Sequence, residues 1–248
     1  NCAEMKSMEE AITSLQAKYD IKDSIVVADR GLNSVYNLKK LKEMGLGFCV
    51  AQRVTQFPKD LRDKMLDKSL YTPIYAKDPE IARIQMINDY EKTGADGATI
   101  KCKLVLTWDE DRYKRDEAIL DAWERLIKRK AKNREKVNPK RSGWTSLAKF
   151  EGTQTESTII GVDERTREKK SQFSGYAGLV FAAPDGMEES LDNVSPLELT
   201  AVYRQLTQIE DCFFIMKSFL GLRPMYVYNT DHIRGHVILC VLALILIR

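Results

Sequence analysis

A chain of 248 residues, 44% of them apolar, is long enough for one large domain or two smaller ones around a true hydrophobic core. Charged residues make up 30% yet leave a net charge of only +3, which excludes a polycation; any nucleic-acid surface must come from local clustering. The scattered cysteines Cys2, Cys49, Cys102, Cys212 and Cys240 form no Cys-x-x-Cys pair, so neither a zinc knuckle nor a disulfide framework is supported, and a reducing, intracellular compartment fits best.

No basic segment leads into an apolar one at the N-terminus, so no signal peptide is read there. Met5, Met8, Ile12, Leu15 and Tyr19 give residues 3–19 a helical pattern. Ile25-Val26-Val27-Ala28, bounded by turn formers, predicts a short strand buried on both faces. A helix follows, with Asn33 or Ser34 as its cap, Val35, Leu38 and Leu41 facing inward and Gly45 closing it. Residues 48–51 predict a second buried strand, which completes a βαβ unit. Ligands and catalytic groups collect at the carboxyl ends of strands in such units, and Asp29 stands there with Gly31 just behind it. Asp29 can equally cap the next helix or pair with Arg30.

The texture changes at Phe57. Pro58, Pro73 and Pro79 punctuate a loop-rich stretch with a short amphipathic helix around 60–66. Over 98–108, Ile100, Cys102, Leu104 and Leu106 alternate with Lys101, Lys103 and Val105, which predicts a strand. A long helix is predicted from Glu110 into Lys132, with Ile119, Leu120, Trp123, Leu126 and Ile127 apolar. Its continuation is basic: Arg125, Lys128, Arg129, Lys130, Lys132, Arg134, Lys136, Lys140 and Arg141. That run is either a solvated face or the one place dense enough to follow a phosphate backbone. Trp144 and Phe150 beyond it either stack on bases or pack. Strands are predicted at 157–162 and 176–182, a turn at Pro184-Asp185-Gly186, and a helix start at Ser195-Pro196.

In the stretch 202–220, Val202, Leu206, Ile209, Phe213, Met216 and Leu220 are spaced alternately four and three, predicting a continuous buried stripe on one helix. Tyr203, Glu210 and Lys217 each follow a stripe residue and repeat every seven, so they line its border. The row is either a solvated flank or a tyrosine, a carboxylate and an ammonium presented together. Leu222-Arg223-Pro224 ends the segment, and Thr230 or Asp231 caps a last helix. The apolar run 237–247 falls short of the ~20 residues of a membrane span and is read as a core helix. His232 and His236 have zinc-binding spacing, but without a third ligand they are read as capping or core residues. The first residue is Asn and the last helix has no cap, so both ends are read as cut.

Asp29 and Glu210 also share a reading. A carboxylate ending a buried strand and another on a packed helix can converge on Mg²⁺ or Mn²⁺, hard cations that prefer oxygen. Two such ions would serve in-line phosphodiester chemistry. Lys217 could hold a phosphate and Tyr203 could position the strand.

The stretch Val26-Val27-Ala28-Asp29-Arg30-Gly31-Leu32-Asn33-Ser34 resembles the second-aspartate motif of DDE-type bacterial insertion-sequence transposases. Tyr203-x6-Glu210-x6-Lys217, with Ile209-Glu210-Asp211 inside it, resembles their C-terminal signature helix. Leu222-Arg223-Pro224 and His232-Ile233-Arg234-Gly235-His236 resemble the segment after that helix in one branch of the group. The resemblance implies an α/β fold with a ribonuclease-H-like catalytic core interrupted by a strand-containing insertion domain. Residues 1–56 and 174–248 would be the two parts of the core, and 57–173 the insertion with the basic stretch. It also implies metal-dependent cleavage of transposon ends and joining of the 3′-hydroxyl to target DNA. Asp29 and Glu210 would be the catalytic metal ligands for Mg²⁺ or Mn²⁺. Tyr203, Lys217, Lys128, Arg129, Lys130, Arg134, Lys140 and Arg141 would meet DNA. The full-length parent would be a homo-oligomer of the bacterial cytoplasm, without membrane partners.

Three features depart from the family pattern. Leu206 stands where an arginine is usual, and Phe213-Phe214 is apolar where a basic residue is common. No strand precedes Ile25–Ala28 to carry a first aspartate, since Asp20 and Asp23 lie in the loop leading into that strand. The missing half of the sheet is expected upstream of Asn1, leaving an apolar edge beside Ile25–Ala28 and no strand transfer by these 248 residues alone. The competing readings are a non-catalytic remnant that binds DNA or an intact partner, and a nuclease that cuts without joining.

Overall fold

The structure, a computed structural model, describes residues 2–19, 23–138, 143–153, 157–191 and 193–247. Helix α1 (Cys2–Tyr19) packs Met8 and Ile12 on the main core. Strand β1 (Ile25–Ala28) runs parallel to β2 (Gly47–Gln52), with α2 (Val35–Glu43) between them, as the βαβ pattern predicts. Of the two candidate caps Ser34 is the one used: its hydroxyl accepts the Asn37 N–H at 3.1 Å. Gly45 ends the helix with φ +74°, a conformation that costs glycine little.

The chain continues through α3 (Lys59–Leu66), β3 (Thr72–Pro73), β4 (Ala82–Thr93), β5 (Thr99–Asp109) and α4 (Glu110–Lys132). Next come β6 (Lys136–Val137), β7 (Ala148–Gly152), β8 (Ser157–Val162), α5 (Glu164–Ser171), β9 (Tyr176–Ala182) and α6 (Glu188–Leu191). Helices α7 (Pro196–Ser218) and α8 (Thr230–Ile247) complete it. These elements form two compact units, Asn1–Leu197 and Glu198–Arg248.

In the first unit a mixed six-stranded sheet has the order β1-β2-β9-β5-β4-β3. Because β1 lies at its edge, only Ala28 is buried there; Ile25, Val26 and Val27 are half-buried, not enclosed on both faces as the apolar run suggests. The centre is dry: Phe48, Val50, Leu104, Leu106 and Val180 join α2 and α3 residues in one core. Val105 is buried too, contrary to its place in the predicted alternation, because β5 is central, paired on both sides. A second sheet, β6-β8-β7, packs on α4 around Leu120, Ile127, Leu147, Ile159 and Val162. Trp144 and Phe150 pack against that cluster. Strands from within 57–173 thus serve both sheets.

Gly175, just before β9, has φ +84°, and a Cβ there would lie 2.6 Å from Trp108 Nε1 and 2.9 Å from Tyr113 Cβ. Gly175→Ala is expected to cost about 2 kcal/mol, combining left-handed strain with displaced aromatic packing. Gly97→Ala, at φ +79° with open space around it, should cost about 1 kcal/mol. Urea denaturation of both variants measures the difference; equal losses would mean the Trp108 contact contributes nothing.

In the second unit α7 is continuous, but its stripe is not buried. Met216 is enclosed, whereas Ile209 and Phe213 are 52% and 50% exposed. Two helices and a connector offer too little apolar surface to cover five turns. The reading of α8 as a core helix is likewise overturned: only Cys240 is buried, and Leu246 is 88% exposed. The helix is 18 residues long, and by length and composition alone is able to cross a membrane. Its cap is neither Thr230 nor Asp231 but Asn229, whose Oδ1 accepts the Asp231 N–H at 2.8 Å. His236 Nε2 lies 3.1 Å from the Gly221 carbonyl oxygen, which fits the capping role.

Candidate active site

Asp29 follows the last residue of β1 and caps the 3₁₀ turn Arg30–Leu32. Its Oδ1 accepts the Gly31 N–H at 2.8 Å, while Oδ2 has no hydrogen-bond partner among the described residues. A Cβ on Gly31 would sit 3.0 Å from Oδ1, so a larger residue there would press on the carboxylate. The capping role weighed for Asp29 is therefore real, and it leaves one carboxylate oxygen open.

Asn33, the other candidate cap of α2, does something else. Its Nδ2 donates to the Ala51 carbonyl at 2.6 Å and to Gln52 Oε1 at 2.8 Å, tying the loop after β1 to the end of β2. Gln52 Oε1 also accepts from Lys92 Nζ at 2.9 Å. Lys92 arrives from far along the chain. The β4–β5 register shifts between Ile87 and Tyr90, and the hairpin tip reaches the start of α2, where a Cβ on Gly94 would lie 3.2 Å from Val35 Cβ. Burial pushes the Lys92 ammonium below its ordinary pKa.

The result is a cleft of about 430 Å³ lined by Asp29, Arg30, Asn33, Gln52, Arg53 and Lys92. It holds one carboxylate among three cations, and the buried Asn33 Oδ1 has no hydrogen-bond partner among the described residues. No three His, Cys, Asp or Glu side chains cluster as a metal site among the described residues. Mg²⁺ ordinarily takes one or two carboxylates and completes its shell with substrate phosphate and water. The open oxygen of Asp29 suits such a cation, and the surrounding positive charge suits the phosphate that would accompany it.

In the second unit, Tyr203, Glu210 and Lys217 lie on α7, and its unbroken helical course keeps them on one side as the spacing implies. Glu210 and Lys217 are exposed, Tyr203 is half-buried, and Lys217 Nζ sits 5.6 Å from the centre of the Phe213 ring. The basic stretch is less free than its composition suggests. Lys128 pairs with Glu124 at 2.5 Å, one helical turn earlier, and Lys130 pairs with Glu135 and approaches the Trp144 ring. Arg129 and Arg134 are exposed with no ion pair among the described residues, while Lys140 and Arg141 lie outside them. Exposed pairs such as Lys128–Glu124 contribute little and exchange readily for a phosphate.

Sequence reasoning missed Gln52, Arg53 and Lys92. Gln52 and Arg53 follow a predicted strand and carried a weak signal; Lys92 stands in a polar run whose strand went unseen, and nothing local marks it.

No curated protein and no solved structure matches the chain. The family model described as the transposase DDE domain matches residues 1–246, which takes in the Asp29 cleft and the helix bearing Glu210. On that match the chain belongs to the transposase DDE domain family.

Proposed function

We propose that this chain works in DNA transposition, contributing Asp29 and Glu210 to an enzyme that cuts transposon ends and joins the freed 3′-hydroxyl to target DNA. The carrying observation is the family match across 1–246 with an open carboxylate oxygen at the carboxyl end of β1. In this reading the parallel pair β1–β2 belongs to a ribonuclease-H-like core, 57–173 is its insertion, and the protein works as a homo-oligomer on DNA.

Asp29 and Glu210 are the acids that would hold Mg²⁺ or Mn²⁺. Such an ion, when bound, supplies a polarised phosphoryl oxygen and a more acidic attacking hydroxyl or water. The Gly31 amide fixes the Asp29 carboxylate through Oδ1, so Oδ2 is presented without rotamer search. Lys217 offers an exposed ammonium to a phosphate, and Tyr203 orients the strand beside it. Arg129 and Arg134 follow the backbone at a distance, together with Lys128, Lys130, Lys140 and Arg141, an electrostatic hold that weakens with salt.

Titration of Mn²⁺ in the presence of a transposon-end duplex, read by electron paramagnetic resonance, tests the ligand assignment. Asp29→Asn and Glu210→Gln should each weaken binding at least about tenfold, since each removes a charged oxygen ligand. Unchanged Mn²⁺ affinity in both variants would refute it.

A further inference from the structure

We propose that Lys92 is a phosphate-binding residue of the Asp29 cleft, delivered by the β4–β5 hairpin and aimed by Gln52. This rests on the transposase reading only in taking the phosphate to be that of a DNA strand.

Lys92 is half-buried, yet no carboxylate lies within ion-pair distance of it among the described residues. Arg30 and Arg53 in the cleft are exposed, and among the described residues neither has a carboxylate within ion-pair distance. Three positive groups against one carboxylate, that of Asp29, leave the cleft with a net charge of +2. A partly desolvated cation without a counter-ion is costly, and an arriving anion removes that cost. A metal ion alone would meet net repulsion there; a phosphodiester would not.

The arrangement also aims the ammonium. Gln52 Oε1 is held from one side by Asn33 Nδ2 at 2.8 Å, and Gln52 Nε2 donates to the Arg53 carbonyl at 3.2 Å. With the amide fixed at both ends, Oε1 takes one proton of Lys92 at 2.9 Å and leaves two donors for another acceptor.

The test is fluorescence anisotropy of a labelled duplex with the full chain, in EDTA so that no metal contributes, across a salt series. Lys92→Gln is expected to weaken binding about five- to tenfold and to make the log K against log salt slope shallower by about 0.9, the signature of one lost phosphate contact. Lys92→Arg should keep the slope. Lys68→Gln, in the exposed turn after α3, should change neither quantity. Melting curves accompany each variant; if Lys92→Gln is less stable, Lys92→Met, which keeps the packed stem, is read in its place by the same criteria. A folded Lys92 variant with the wild-type slope overturns the assignment of Lys92 while leaving the Mn²⁺ result for Asp29 and Glu210 standing. A wild-type chain that shows no salt-dependent duplex binding overturns both.

Discussion

In the transposase that carries this chain, Glu210→Gln and Asp29→Asn are each expected to slow Mg²⁺-dependent cleavage of labelled transposon ends roughly 10³-fold or more, about 4 kcal/mol of transition-state stabilisation. Both substitutions keep the side chain's shape and remove its charge, so what is lost is the hold on a hard cation. Neither should disturb the fold. Asparagine still accepts the Gly31 N–H as a cap, and Glu210 is exposed on α7, where substitutions ordinarily cost less than about 0.5 kcal/mol. A large loss of rate at an unchanged melting temperature would therefore report ligand chemistry. Lys217→Gln should cost only about tenfold, the scale of one lost charge-assisted contact to phosphate. Cleavage within tenfold of wild type in either carboxylate variant would remove that residue from the catalytic set.

The elements that could be read from the sequence are those whose apolar residues are continuous or regularly spaced. β8 and β9 occupy the predicted 157–162 and 176–182, and α4 spans Glu110–Lys132 as its pattern requires. β4 was hidden because its outer half carries Asn88, Asp89, Glu91 and Lys92, a polar series that reads as loop and is in fact the curled end of a hairpin. α5 contains no apolar residue at all, so periodicity had nothing to detect. On α7 the opposite happened: the spacing is right for a helix, but spacing cannot say how much surface is available to cover Ile209 and Phe213. The site divides in the same way. Asp29 follows from local order, strand then turn. Lys92 enters through β-sheet pairing over about forty residues of separation from Gln52, which only the folded chain reveals.

Arg167→Ala is expected to destabilise the first unit by about 3 kcal/mol, discounted for partial exposure from the roughly 3–5 kcal/mol of breaking a fully buried ion pair. The eight residues of α5 are too few to form a helix alone and include no apolar side chain to bury, so its attachment to α4 must come from polar contacts. Arg167 supplies them. Its Nη2 donates to Glu117 Oε2 at 2.9 Å and to Asp121 Oδ1 at 2.7 Å, and its Nε lies 3.6 Å from Glu124 Oε2. Those acids share one face of α4, at one- and two-turn spacing. Ser171 and Ser174 close the clamp by donating to Glu117 Oε1 at 2.7 and 2.6 Å. The side chains of Arg167 and Glu117 are only 16% and 18% exposed, so removing the cation strands a carboxylate that water reaches poorly. Burial pushes the Glu117 carboxyl up, but the hydrogen bonds from Ser174, Ser171 and Arg167 outweigh it and hold its pKa below the ordinary 4.5. A depressed carboxyl stabilises the fold fully above its ordinary value and loses that contribution as pH falls through the folded value. The gap between wild type and Arg167→Ala should therefore be constant near neutral pH and shrink as the pH drops below about 4.5. A lysine at this position keeps the charge without the planar fork, so Arg167→Lys should lose about half as much stability. Urea melts between pH 7 and pH 3, with amide exchange followed over α5, decide the matter: a gap that ignores pH, or α5 amides as protected in Arg167→Ala as in wild type, would show that the second sheet holds this helix without the clamp.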